Sequence, residues 1–117
     1  KDKADLILRA TALPKEITFI SSMGAALRSD PFMVRKAEFW KVDGDPLARA
    51  LRKKFKKNKT FPSRKFQCVY SEEKPMQNRG VNNEYCPTKA QINGSLCHIT
   101  ATFGMAIAGM VVNHIID

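Results

Sequence analysis

The stretch GSLCHITATFGMAIAGMVVNHII, residues 94–116, contains no Asp, Glu, Lys or Arg, and the charge-free zone reaches back to Ala90. Its length and apolarity suit a membrane span, the central helix of a soluble core, or the floor of a catalytic site. His98, Asn113 and His114 lie within the run, and no basic–aromatic anchor follows it, which argues against the span. The rest of the chain decides between the other two.

Working back towards the N-terminus, residues 72–91 hold two prolines, a glycine and three asparagines with no periodicity, the composition of a long mobile loop. Before it, KFQCVYS (65–71) alternates like a short strand. Gly44-Asp45-Pro46 is a helix start: Asp45 can cap free amides, and Pro46 lacks an N–H that the first turn would leave unpaired. Leu47, Leu51 and Phe55 follow at i, i+4 as a core-facing stripe, with Arg and Lys on the other faces. Residues 33–42 read as a strand, Asp30-Pro31 as a turn, and Ile17–Ser22 as a buried strand that runs into Gly24-Ala25-Ala26. Leu6, Ile7, Ala10 and Leu13 mark an amphipathic helix that Pro14 closes, and the chain opens inside that pattern without a capping residue. The expected order is helix, strand, strand, helix, strand, loop, long helix, which belongs to the α/β class and fits one domain at most in 117 residues.

The net charge of +9 is localised. Arg49, Arg52, Lys53, Lys54, Lys56, Lys57, Lys59, Arg64 and Lys65 fall within seventeen positions that hold no acid, and elsewhere eleven bases meet eleven acids. Charge concentrated in this way attracts polyanions such as nucleic acid; the plainer reading is a solvated helix face.

Catalytic signatures are sparse. Gly104 and Gly109 have P-loop spacing, but Met110-Val111 stand where Lys-Ser/Thr must be, so the ammonium and the Mg²⁺-binding hydroxyl are missing. His98 and His114 are sixteen positions apart, too far for a helical metal pair. Cys97 and His98 are adjacent, and on a helix their side chains diverge. Cys68 reads as a small buried strand residue, and Cys86, before Pro87, as the thiol best placed for exposure. Glu72-Glu73 reads as a solvated pair at a strand end. Three cysteines at no metal-ligand spacing, after no signal peptide, suggest reduced thiols in a cytoplasmic protein.

Four segments in one order carry a resemblance: ISSMGAALRSDPFMVRKAEF, DPLARALRKKFKK, CVYSEEKP and NGSLCHITATFGMAIAGMVV. They resemble the C-terminal half of the HesA/MoeB/ThiF superfamily, bacterial relatives of ubiquitin-activating enzymes, and are most similar to its tRNA threonylcarbamoyladenosine dehydratase branch. The resemblance implies a Rossmann-like fold, a cytoplasmic homodimer with no membrane span, and a buried C-terminal helix packed on the sheet. In that helix Gly104, Ala108 and Gly109 would admit a strand or a second subunit. It also implies an ATP- and Mg-dependent enzyme that adenylates the threonylcarbamoyl carboxylate on tRNA, so that ring closure can expel AMP.

The family's Gly-rich turn and catalytic Arg and Asp precede the matched region. The chain is therefore expected to be a C-terminal fragment that holds no cofactor, is inactive alone, and needs a missing N-terminal nucleotide-binding half. Its sheet would have an uncovered edge prone to self-association. By resemblance, Lys3 corresponds to a family lysine near the nucleotide. Arg49, Arg52, Lys53, Lys56, Lys57, Arg64 and Lys65 are the expected tRNA-docking residues. Two alternatives stand beside this: activation of a ubiquitin-like sulfur-carrier protein, and a non-catalytic basic module that binds RNA or protein.

Overall fold

The computed structural model of the chain describes residues 2–78 and 94–117. Its elements run α1 (Lys3–Thr11), β1 (Ile20–Ser22), β2 (Val34–Glu38), α2 (Pro46–Asn58), β3 (Gln67–Ser71) and α3 (Cys97–Ile116), with single 3₁₀ turns at Pro31–Met33 and Phe39–Lys41. The α/β class and the order of elements are those read from the sequence. Most of the 72–91 loop, with Cys86, lies outside the described residues.

Both expected strands in the first half are shorter in the structure. Strand pairing begins only at Ile20, and β2 is bounded by two turns whose own acids cap them. Asp30 accepts the amide of Phe32, and Glu38 accepts that of Trp40. A side chain that satisfies the amide two residues on offers the backbone an alternative to the ladder, so extended pairing stops there. α2 begins as expected: the Asp45 carboxylate accepts the Ala48 amide at 2.8 Å with Pro46 in the first turn. α1 makes no side-chain cap hydrogen bond at Asp2.

β3 is the central strand. β1 pairs with it in parallel, Ser21 opposite Cys68, and β2 pairs antiparallel, Ala37 opposite Cys68. Alternation along β3 divides the core between two faces. Cys68 and Tyr70 join Ala4, Ile7, Phe39, Leu51, Phe55 and Phe66 beneath α1 and α2. Val69 points the other way, to Ile99 and Phe103 of α3. The result is a helix–sheet–helix sandwich.

α3 corrects one expectation. Only Ile99 and Phe103 are buried along its twenty residues, while Met105 and Ile115 are each 75% exposed. No described atom lies within 4 Å of a methyl group built on Gly104 or Gly109, so nothing here makes a close approach to them. Ala106, Ile107 and Met110 pack only partly against the cluster of Val69, Ile99 and Phe103. By length and composition α3 also passes the test for a membrane-crossing helix.

Phe39 is fully buried, stacked on Phe66 at 5.0 Å and edge-on to Phe55 at 5.9 Å. Phe39→Ala should therefore cost about 3–5 kcal/mol, read as a lowered urea midpoint at unchanged slope.

Candidate functional site

Parallel strands present ligands at their carboxyl ends, and here that end is built around one arginine. The chain leaves β1 through Met23 and Gly24 and turns back under Arg28, which is 2% exposed. Arg28 Nη1 donates to the carbonyls of Gly24 (2.7 Å) and Ala26 (3.2 Å), and Nε donates to the carbonyl of Glu73 (3.1 Å). Nη2 lies 3.4 Å from the Asp45 carboxylate, which is itself fully buried. A methyl group added at Gly24 would sit 3.4 Å from Asp45 Oδ1, so the small residue allows this approach. Leu27 takes a left-handed φ of 62°; its amide donates to the Gly94 carbonyl and its carbonyl accepts the Met76 amide.

Glu73 completes the arrangement. Its carboxylate accepts the amides of Ser29 (2.8 Å) and Asp30 (3.1 Å), so it anchors a loop rather than standing in solvent as the sequence reading had it. Glu72 does pair at the surface, 3.8 Å from Arg35. Sequence reasoning missed Arg28 and read Glu73 only as half of a solvated pair; the sole signal for the arginine was its place among turn residues.

Beside this end lies a cleft of about 310 Å³ whose lining includes Lys3, Ile7, Phe19, Ser22, Met23 and Leu47. Lys3 is exposed at its mouth. The cleft is otherwise largely apolar, and one ammonium is not a triphosphate cradle.

The seven expected docking residues lie apart from Lys3. Arg49, Lys53, Lys56 and Lys57 are exposed on α2. Arg52 is half-buried, and its Nη1 donates to the carbonyls of Phe39 (3.1 Å) and Val42 (2.7 Å). Arg64 is also half-buried and donates to the carbonyls of Lys15 and Ile17. Lys65 beside it is exposed. The two arginines therefore brace the fold while the lysines and Arg49 face outward. α2 starts at the carboxyl end of the sheet and carries Lys56 and Lys57 in its last turn, so positive charge gathers toward the opposite end.

His98 Nε2 donates to the Ser29 carbonyl at 2.7 Å, and His114 shares a 3.0 Å hydrogen bond with Thr18. Among the described residues no cluster of three or more His, Cys, Asp or Glu side chains could hold a metal. Cys97 is exposed and Cys68 fully buried. Burial, then the Glu38 and Asp45 carboxylates, push the Cys68 thiol up to about 12 against the opposing pull of Arg52. Tyr70 is raised as well, first by burial and then by Glu72 and Asp43.

A sandwich with this order and topology defines a class, the ThiF/MoeB-like fold. It superposes on crystal structures of E. coli tRNA N6-threonylcarbamoyladenosine dehydratase, TcdA. The TM-score is 0.72 for the complex with AMP, at 24% identity over 99% of this chain and 44% of that one. For the complex with ATP it is 0.71, over 97% and 43%. In sequence the chain is similar to tRNA threonylcarbamoyladenosine dehydratase of Bacillus subtilis, 30% identical over 112 residues. It is also similar to dehydratase 2 of Saccharomyces cerevisiae, 41% identical over 59 residues. The resemblance read from the four segments is borne out. The chain spans 43% of the Bacillus protein's length and 13% of the yeast protein's. No protein-family profile matches it.

Two outcomes are expected. Asp45→Ala strips a cap and leaves Arg28 buried without its counter-charge, a loss of about 3–5 kcal/mol in urea unfolding; Asp45→Asn keeps a capping oxygen and should recover part of it. Burial holds the Cys68 thiol protonated in the fold up to about pH 12, while the unfolded thiol ionises near its ordinary value of 9.0. Its contribution is complete below pH 9 and lost as pH rises toward 12, so Cys68→Ala should flatten stability across that window.

Proposed function

We propose that this chain supplies the scaffold and positive surface of an ATP-dependent adenylating enzyme that cyclises threonylcarbamoyladenosine in tRNA. What carries the reading is a match to such dehydratases along 90% of the chain, with the fold agreeing over the same span. A carboxylate is a poor electrophile; coupling it to AMP provides a leaving group that ring closure expels. ATP and Mg belong to the whole enzyme, and Lys3, at the mouth of the cleft, is the one residue assigned to the nucleotide side.

The chain acts with an N-terminal nucleotide-binding half and is inactive without it. That half extends the sheet from the open edge of β1, which is an outer strand in the order β1-β3-β2. The uncovered apolar face of α3 supports homodimerisation, and tRNA chemistry supports a cytoplasmic setting over a membrane span.

In this reading Arg49, Lys53, Lys56, Lys57 and Lys65 meet tRNA phosphates, and Arg52 and Arg64 hold that surface in shape while adding charge. Lysine and arginine contacts to phosphate supply affinity without reading sequence, which suits a surface of this composition. The same charge favours tRNA over a sulfur-carrier protein as substrate.

The test is tRNA binding across a salt series. Replacing Arg49, Lys53, Lys56 and Lys57 together with Ala should weaken binding and make the log–log salt slope shallower by about 3. Unchanged affinity and slope would remove the docking surface from the proposal.

A further inference from the structure

Trp40, the chain's single tryptophan, and Phe61 form an aromatic pair at the edge of the core, where Trp40 also packs edge-on to the buried Phe39 at 5.2 Å. The pair's ring centroids are 6.2 Å apart and the planes inclined at 46°. The fold forces them outward. In the 3₁₀ turn Phe39–Lys41, Phe39 turns inward against Phe55 and Phe66, which leaves Trp40 on the outside, 37% exposed. Phe61 follows the left-handed C-cap at Lys59, where the Thr60 amide closes α2 on the Phe55 carbonyl, and is 52% exposed.

The charge around the pair is what identifies its ligand. Arg52 is fixed on the flank of α2 that faces the Trp40 turn, because its Nη1 donates to Phe39 and Val42. Arg49 and Lys56 are its helical neighbours at i−3 and i+4, and both are exposed. Lys41 follows Trp40, and Lys59 precedes Phe61 by two positions. The acids near Trp40 in sequence are Glu38 and Asp43, and Glu38 Oε2 is occupied with the Trp40 amide at 3.2 Å. Protein-binding patches are depleted of lysine at their centres. Aromatic rings amid cations are instead the makings of a stacking platform for unpaired bases, whose phosphates the cations track.

We propose that Trp40 and Phe61 bind single-stranded RNA, with bases stacked on the rings and phosphates toward Lys41, Lys56 and Lys59. The assignment rests on the tRNA reading and sharpens it: the surface selects unpaired nucleotides, not duplex. The platform lies along the later part of α2, between Arg52, which holds Phe39, and the C-cap at Lys59, rather than at the Asp45 cap. The platform therefore takes nucleotides flanking the one that reacts.

Trp40 is its own reporter. Its emission would be followed while the chain is titrated with a ten-nucleotide oligouridine, an abasic strand of equal phosphate number, and an RNA duplex. Quenching by oligouridine, with affinity about 5-fold or more above the abasic strand, is expected. Phe61→Ala, at an exposed position that keeps the reporter, should remove most of that margin while thermal unfolding stays the same.

Equal binding of all three ligands without quenching overturns the platform and leaves the polyanion surface standing. No binding of any ligand overturns both. A concentration-dependent blue shift of Trp40 without RNA would assign the rings to a protein contact and also overturn the proposal.

Discussion

The buried guanidinium of Arg28 constrains three segments that share no strand pairing with one another. It holds the return of the chain after β1 through Gly24 and Ala26, the start of α2 through Asp45, and the exit from β3 through Glu73. A buried charge is costly unless paired and hydrogen-bonded, and four partners meet that condition here. Asp45 serves twice, since one oxygen faces Arg28 and the other caps Ala48. The carboxyl end of the sheet thus has one arrangement in which every charge is satisfied. Glu73 extends it by holding Ser29 and Asp30 from the far side, and His98 ties α3 to the same Ser29.

Local chemistry made the outline of this fold readable. The Leu47–Leu51–Phe55 stripe, the cap at Asp45 and the alternation in β3 are short-range patterns, and each became the element it suggested. Strand ends were less readable. Whether Ile17 to Phe19 pair depends on where β3 begins, which propensity does not encode, and β2 stops where Glu38 caps its own turn. Arg28 was unreadable because nothing in its neighbours distinguishes a buried arginine from an exposed one. Its partners lie seventeen and forty-five positions away. Within the basic segment, composition showed the charge but not its division of labour, since only tertiary contacts reveal that Arg52 and Arg64 brace backbone carbonyls.

α3 shows a different limit. A helix that is apolar on every side should be buried on every side, yet only Ile99 and Phe103 are fully buried, with Ala106, Ile107 and Met110 partly covered. Apolarity specifies that a surface is to be covered, not what covers it. The three strands offer one buried site opposite α3, centred on Val69, and the two partners of that residue are the helix's buried pair. The unmatched remainder is the part of the sequence pattern whose complement is not among these residues.

Charge and geometry divide the molecule in a consistent way. At the carboxyl ends of β1 and β3, the buried charges are paired and hydrogen-bonded, and the adjoining cleft is apolar apart from Lys3 and small polar groups. Towards the other end, Lys56, Lys57 and Lys59 crowd the last turn of α2, where the helix dipole favours cations. That placement stabilises the helix and projects the field outward, so the stabilising and binding roles of these lysines do not compete. A polyanion attracted to this end is kept off the Arg28–Asp45 pair, whose geometry depends on the absence of a rival anion.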